Sequence, residues 1–241
     1  MNNILGIGRS GLKANQLKMD VLADEVANVN TNGYKKDTVS FRELLPTGDT
    51  SAGTRAAITR TDHSQGILRE TGNQWDLAIE GDGFFGVHLP DGTMVLTRAG
   101  AFTLNEDGTL TSDKGLVTMT ETPDGFNPSL VSVTAEGDMV LAIDGERETI
   151  GHLTMYFPQN LNDLIRIGDG MFIAREDSVL IDSRNMPEQF GNILSGFLEE
   201  SNSDLTKALT DMIVAQRSYS LNAEAVRSTD DLMRIVNDLK R

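Results

Sequence analysis

Two glycine-rich stretches have the spacing of the dinucleotide-binding fingerprint, in which small residues let the backbone approach a pyrophosphate. They are Gly6-Ile-Gly8-Arg-Ser-Gly11 and Gly81-Asp-Gly83-Phe-Phe-Gly86. The fingerprint binds pyrophosphate only between a strand and the helix that follows it. The first stretch leaves no room for a preceding strand, and the second continues into Val87-His-Leu-Pro90 without a helix. We therefore predict no nucleotide site and no cofactor.

The other residues suited to chemistry are a serine–lysine pair, three histidines and many carboxylates. Ser10-Gly-Leu-Lys13 has the spacing of serine acyl enzymes, but the sequence contains neither a Ser-Asp-Asn nor a Lys-Thr-Gly partner motif. His63, His88 and His152 stand singly, without the spacing of a zinc site. Asn105-Glu-Asp107-Gly108 lacks the alternating oxygens of a calcium loop. We predict no catalytic residue and no metal site.

One enzymatic alternative stays open, a peptidoglycan-degrading enzyme that uses a pair of acidic residues. The fold, not the sequence spacing, sets the distance between such carboxylates.

The chain has 36 acidic against 21 basic residues and a formal net charge of −15. This excess argues against a nucleic-acid partner, because phosphate is repelled over most of the surface.

The composition also bounds the class of protein. The absence of cysteine excludes disulfides and thiolate chemistry. The sequence contains no run of eighteen apolar residues, so we predict no transmembrane segment. The first residues lack the apolar core of a secretory signal, so we expect any export to use another route.

Both ends of the chain must hold long helices, because apolar and small residues recur there at heptad spacing without proline. In the N-terminal helix the candidate packing residues are Leu5, Leu12, Met19, Leu22 and Val26. In the C-terminal helix the seam starts at Leu198, and its candidate packing residues are Leu205, Ala208, Met212, Ala215, Tyr219, Val226 and Met233.

The middle of the chain has short alternating apolar runs separated by Asp-Gly pairs, the strongest short signal for antiparallel hairpins. We predict an α+β fold in which the terminal helices form a coiled-coil-like pair around a central antiparallel β domain. The predicted segments are an N-terminal helix with an asparagine-rich turn over 1–34, an extended linker over 35–74, the β domain over 75–190, and an extended lead-in with the C-terminal helix over 191–241.

The heptads allow two kinds of packing. The terminal helices could fold on each other within one chain, or several chains could share them. Asn15, Asn222 and Thr229 on the seams favour packing between several chains, because polar seam residues set register. A closed coiled-coil dimer acting as a soluble adaptor is the alternative to an open assembly.

Several motifs in the chain resemble those of the axial proteins of the bacterial flagellum, the rod and hook family. At the N-terminus they are Ser10-Gly-Leu-Lys13, Asp20-Val-Leu-Ala23 and Ala27-Asn-Val-Asn-Thr-Asn-Gly-Tyr-Lys35. In the middle and at the C-terminus they are Trp75 to Phe85, Leu96-Thr-Arg-Ala-Gly-Ala-Phe102, Gly196-Phe-Leu-Glu-Glu-Ser-Asn202 and Ala215-Gln-Arg-Ser-Tyr219. The family-motif residues carried over are Ala27, Asn28, Asn30, Thr31, Gly33 and Tyr34. Asp24-Glu25 stands where the family has two asparagines.

The resemblance implies a structural protein and not an enzyme. It implies export by the flagellum-specific type III apparatus and assembly in the basal body, where terminal helices form the wall of a hollow helical rod. The implied partners are copies of the chain, other rod and hook proteins and the export apparatus. Length favours a rod subunit over the hook, either the distal rod protein or its proximal neighbour.

Overall fold

The structure is a computed structural model that describes residues 2–44, 53–105, 109–112, 115–117, 130–143 and 146–239. The chain divides into two compact units. The terminal unit consists of Met1–Val29, Lys36–Asp62 and Ser203–Arg241. The β unit consists of Asn30–Lys35 and His63–Asn202.

Two long helices form most of the terminal unit, which confirms the predicted helices at both ends. Helix α1 spans Asn2–Ala27 and helix α2 spans Leu205–Asp238. Asp204 caps α2, because its side-chain Oδ1 accepts a hydrogen bond from the backbone N–H of Lys207 at 3.1 Å. The predicted seam began too early, since Leu198 lies in a strand. Leu198 itself falls in the heptad phase, seven residues before Leu205, so periodicity alone carried the seam into the strand.

A β-hairpin completes the terminal unit and corrects the predicted extended linker over 35–74. Strand β1 (Asp37–Leu44) pairs antiparallel with β2 (Gly53–Thr61), with a register shift between Thr38 and Val39. The backbone N–H of Thr54 donates to Ser10 Oγ of α1 at 3.0 Å. Polar and small residues dominate the hairpin, so the alternation that identifies a strand is weak in its sequence.

Sixteen further strands are described in the β unit. They are β3 (Leu68–Glu70), β4 (Leu77–Glu80), β5 (Phe84–His88), β6 (Met94–Thr97), β7 (Phe102–Leu104), β8 (Leu110–Ser112), β9 (Gly115–Val117), β10 (Val131–Val133), β11 (Asp138–Ile143), β12 (Glu146–His152), β13 (Met155–Pro158), β14 (Leu164–Gly168), β15 (Met171–Ala174), β16 (Leu180–Asp182), β17 (Asn192–Ser195) and β18 (Phe197–Glu199). The short 3₁₀ helices Leu161–Asp163 and Pro187–Gln189 lie between strands of this unit.

The largest described sheet runs in the order β14-β15-β6-β5-β9-β8-β7, and β13 joins it through β5 and carries β16. A separate sheet has the order β10-β11-β12. The described strand pairs are antiparallel, as predicted. Because successive side chains of a strand point to opposite faces, Phe84 and Phe85 belong to two different apolar clusters.

The Asp-Gly pairs play different roles. Asp91-Gly92 closes the hairpin between β5 and β6, where Gly92 has φ +84° and the Asp91 carboxylate accepts from the Thr93 N–H at 2.8 Å. Asp82-Gly83 instead links β4 and β5, which do not pair with each other in the described part of the chain. Asp107-Gly108, Asp124-Gly125 and Asp144-Gly145 lie outside the described residues.

The strand-rich unit extends beyond the predicted range 75–190 on both sides. Strand β3 pairs with β18, and β4 pairs with β17. The predicted lead-in to the C-terminal helix therefore contributes strands to the β unit. Over the residues that the structure covers, neither long helix has a stretch apolar enough to cross a membrane.

Candidate assembly surface and a buried charge cluster

Helices α1 and α2 pack side by side and run antiparallel. A Cβ built on Gly8 would collide with the side chain of Val226. Three residues further along α1, a Cβ on Gly11 would lie 3.2 Å from Asn222 Nδ2, four residues earlier in α2. The glycines weaken α1 as an isolated helix but let the second helix approach closely.

The candidate packing residues of α1 differ in burial. Leu22 is buried, as is Ala14, which the sequence did not single out. Leu12, Met19 and Val26 are half-buried. Leu5 lies in α1, but its side chain is outside the described set.

The candidate packing residues of α2 divide in the same way. Ala208 and Ala215 are buried, whereas Met212, Val226 and Met233 are half-buried. Leu205 and Tyr219 are 42% and 37% exposed. Within one chain, Val226 lies against α1 at Gly8, and Ala208 lines the cavity described next. The role of these residues in packing between subunits stays a prediction.

A charged cavity of about 230 Å³ lies within the terminal unit, between α1, β1 and the first turns of α2. Glu25 lines it together with Lys36, Asp37, Lys207 and Asp211. Burial raises the pKa of the Glu25 carboxyl; Asp211 and Asp37 add to the rise, and Lys36 and Lys207 oppose it. The folded terminal unit therefore holds a proton on this side chain more tightly than an exposed glutamate does.

The asparagine-rich motif forms the turn after α1. Ala27 is exposed at the end of the helix, and Asn28 Nδ2 donates to the Asp24 carbonyl at 2.9 Å. Asn30 and Thr31 line a second cavity, of about 210 Å³, in the β unit.

Gly33 and Tyr34 hold the end of this turn in the β unit. Gly33 has φ +69°, and a Cβ there would collide with the backbone of Arg98 and Ala99, so glycine is required twice over. Its N–H donates to the Glu199 carbonyl at 2.7 Å. Tyr34 is buried, and its carbonyl accepts from the Asn202 N–H at 3.3 Å.

A buried charge cluster, Lys35, Arg98 and Glu199, lies beside this turn, and the sequence did not single it out. The three residues are between 0% and 4% exposed. Lys35 Nζ lies 2.5 Å from Glu199 Oε1, and Arg98 Nη1 lies 3.2 Å from Glu199 Oε2. Glu199 is thus held between two cations.

Backbone carbonyls satisfy much of the remaining hydrogen-bonding capacity of the cluster. Lys35 Nζ donates to Ser64 O at 2.6 Å, and Arg98 Nη2 donates to Gly81 O at 2.7 Å. The Arg98 guanidinium also stands 5.2 Å from the centre of the Phe84 ring. Burial lowers the pKa of Arg98, and the Glu199 carboxylate opposes that shift. Each of the three residues falls in a family motif quoted above, but those motifs are far apart in sequence and do not indicate that the three side chains meet.

None of the three histidines belongs to a metal-binding group within the part of the chain that the structure describes. His152 Nδ1 lies 2.8 Å from Asp138 Oδ1, a carboxylate neighbour that the sequence did not predict. Across the described ranges there is no group of three or more histidine, cysteine, aspartate or glutamate side chains that could hold a metal ion.

Family comparisons match three parts of the chain, in the order helix, β region, helix. "Flagella basal body rod protein" matches residues 5–35, "Flagellar hook protein FlgE/F/G D1 domain" matches 78–165, and "Flagellar basal body rod FlgEFG protein C-terminal" matches 194–239.

Curated relatives match over nearly the whole chain. The flagellar basal-body rod protein FlgG of Borreliella burgdorferi is 31% identical over 100% of both chains. FlgG of Bacillus subtilis is 32% identical over 97% of both. The flagellar basal-body rod protein FlgF of Mesorhizobium japonicum is 31% identical over 95% of this chain and 94% of its own.

The paired terminal helices and the strand-rich middle, each matched by a flagellar family, define an axial protein of the flagellum. More particularly, the chain belongs to the flagellar basal-body rod protein family.

Proposed function

We propose that the protein is a structural subunit of the bacterial flagellar basal-body rod, which polymerises through its terminal helices into a hollow helical shaft that transmits torque. The observation that carries the proposal is the packing of α1 against α2 in the terminal unit of a member of the rod family. Heterologous contacts that do not close produce an open helical assembly. The role is mechanical, without catalysis.

The proposed partners are other copies of the chain and other rod and hook axial proteins. The proposed location is the basal body, reached through the flagellar type III export apparatus. Within each subunit, we propose that α1 and α2 pair in a coiled-coil-like manner, which their heptad spacing and the close approach at Gly8 and Val226 support.

Deletion of either terminal helix tests the proposal. Removal of residues 2–29 or of residues 205–241 should abolish rod assembly, because each deletion takes away one half of the helix pair. Rods are scored by electron microscopy of basal bodies from cells that carry only the variant. Fluorescence of Trp75, the one tryptophan of the chain, reports on the β unit and should stay close to that of the intact protein.

The control is the full-length chain expressed at the same level, which should restore rods. Rods that form with either deletion would contradict the proposal. So would a full-length chain that sediments as a dimer at every concentration, because that behaviour belongs to a closed adaptor.

A further inference from the structure

The asparagine-rich turn after α1 contains a chemically labile pair of residues. Asn32-Gly33 is the one place in the sequence where glycine follows asparagine. In such a pair the backbone nitrogen of the glycine can attack the side-chain Cγ of the asparagine, because glycine has no side chain that hinders the approach. The attack joins Gly33 N to Asn32 Cγ and breaks the bond from Cγ to Nδ2. Nδ2 leaves as ammonia with the proton of the Gly33 N–H, and water then opens the resulting succinimide to aspartate or isoaspartate.

The fold requires the glycine that makes this pair labile. Gly33 is the third residue of a turn closed by a hydrogen bond from the Tyr34 N–H to the Thr31 carbonyl at 3.3 Å. Its φ of +69° is one that favours glycine at this place in a turn. A Cβ on Gly33 would also collide with the backbone of Arg98 and Ala99. Another residue at position 33 would therefore lower the lability only by disrupting the turn.

The folded β unit engages the attacking nitrogen. Gly33 is buried, and its N–H donates to the Glu199 carbonyl at 2.7 Å. Attack on Asn32 requires this nitrogen to give up its proton and to turn towards the side chain of the preceding residue. Both changes break the hydrogen bond to Glu199. Deamidation of the folded chain therefore needs a local opening, and its rate falls with the fraction of time that the turn is open.

The acceptor of this hydrogen bond is itself held in place. The Glu199 carboxylate pairs with Lys35 and Arg98 in the buried charge cluster, and its Oε1 also accepts from the Gly66 N–H at 2.9 Å. Movement of Glu199 away from Gly33 disturbs these buried charges, which is costly. We therefore expect openings of the turn to be rare in the folded chain.

We propose that Asn32 is a site of spontaneous deamidation that the fold closes, so that the unfolded chain is modified there and the folded chain is protected. The inference is independent of the proposed function, because it concerns the chemistry of a single subunit. Glu199 lies near the far end of the chain, so protection begins only when nearly the whole sequence is present.

The products of deamidation fit the folded turn poorly. Isoaspartate carries the main chain through its side chain and lengthens it by one carbon before Gly33, where the backbone of Arg98 and Ala99 leaves no room. Aspartate instead adds a negative charge to the second cavity, whose described lining residues are all uncharged. A chain that is modified while unfolded should therefore fold less readily, and isoaspartate should be the more harmful product.

Peptide mass spectrometry of the full-length chain tests the proposal. The chain is incubated at mildly alkaline pH, once in buffer and once in guanidinium chloride, and is then digested with trypsin. The tryptic peptide 19–35 contains Asn32 together with two internal controls, Asn28 and Asn30, which are followed by β-branched residues. In the unfolded chain Asn32 should deamidate well before either control. In the folded chain its rate should be at least about tenfold lower.

Equal rates at Asn32 in the folded and unfolded chains would overturn the proposal. So would an unfolded chain in which Asn32 is no faster than Asn28 and Asn30. The products are tested by refolding a partly deamidated chain and separating the folded from the aggregated fraction by size exclusion. Isoaspartate at position 32 should be depleted in the folded fraction, and equal amounts in both would contradict the predicted effect on folding.

A pair of variants tests whether the buried cluster supplies the protection. Glu199→Gln is compared with Glu200→Gln under conditions where Trp75 fluorescence shows that both are folded. Loss of the buried carboxylate should make openings of the turn more frequent, so Glu199→Gln should deamidate at Asn32 at least about tenfold faster than Glu200→Gln. Equal rates in the two variants would show that the cluster does not protect this site. The comparison of the folded and unfolded natural chain does not depend on these variants.

Discussion

Lys35 and Glu199 are 164 residues apart in sequence, yet they form a fully buried ion pair that also includes Arg98. A buried pair gains little stability overall, because desolvation offsets most of the attraction between the charges. Its members nevertheless depend on one another, since each would be left charged and unsolvated without the others. The cluster therefore fixes the position of residues 33–35 and of β18 within the β unit.

Glu199→Gln should destabilise the β unit by about 3–5 kcal/mol, because it leaves two buried cations without a carboxylate. Urea unfolding followed by Trp75 fluorescence measures the change. The matched control is Glu200→Gln, which removes the exposed ion pair with Arg69 at 2.9 Å and should cost less than about 1 kcal/mol. Similar losses for the two variants would contradict the role of the cluster.

Glu25 gives the terminal unit a dependence on pH. Because burial raises its pKa in the folded state, the folded chain binds this proton more tightly than the unfolded chain does. The ionised Glu25 carboxylate therefore destabilises the folded terminal unit. This loss of stability is present in full above the pKa of Glu25 in the folded state, and it disappears as the pH falls from there to the pKa of the unfolded state. Glu25→Gln should therefore raise the melting temperature of the terminal unit at pH 7, and the advantage should shrink as the solution is acidified.

Thermal unfolding followed by circular dichroism at 222 nm, repeated over a pH series, checks this prediction. Glu224→Gln removes one negative charge from an exposed site on α2 and controls for the change in net charge. An advantage of Glu25→Gln that stays constant on acidification would show that the carboxyl does not act through its protonation.

At the scale of elements, the contact between α1 and α2 depends on the missing side chain of Gly8. Gly8→Ala would ordinarily stabilise a helix by about 1 kcal/mol. Here the added methyl meets Val226, whose β-branched side chain has little rotational freedom in a helix, so we expect a net loss of about 1–3 kcal/mol.

Denaturant unfolding of the terminal unit, followed by helical circular dichroism, measures this loss. Adding Val226→Ala to Gly8→Ala should recover part of it by making room. Gly11→Ala is the milder comparison, because the nearby Asn222 amide can rotate away. Stabilisation by Gly8→Ala would show that the helices do not approach closely at this point.

The elements differ in how far the sequence predicts them. Apolar spacing without proline was enough for α1 and α2, and Asp91-Gly92 was enough for the hairpin between β5 and β6. The β1–β2 hairpin was missed because its many Thr, Ser and Arg residues leave too few apolar positions for a regular alternation of apolar and polar side chains.

At the scale of the whole molecule, the predicted order of helix, β region and helix agrees with the structure, but each unit draws on distant parts of the chain. The terminal unit takes three separate segments and the β unit takes two. The short segment Asn30–Lys35 belongs to the β unit although it follows α1 directly. Contacts between distant segments leave no local pattern, which is why the predicted ranges divided the chain in sequence order.

The pairing of the first helix with the last one also orders events in time. A polypeptide that emerges N-terminus first, from a ribosome or through a narrow channel, releases α1 long before its partner. Neither that helix pair nor the Lys35–Glu199 contact can form until residues near 200 and beyond have followed. Long-range closure of this kind makes folding slow to begin and late to finish. An incomplete chain therefore cannot form the pair of α1 and α2, and the helix pair is available for assembly only after the whole chain has emerged.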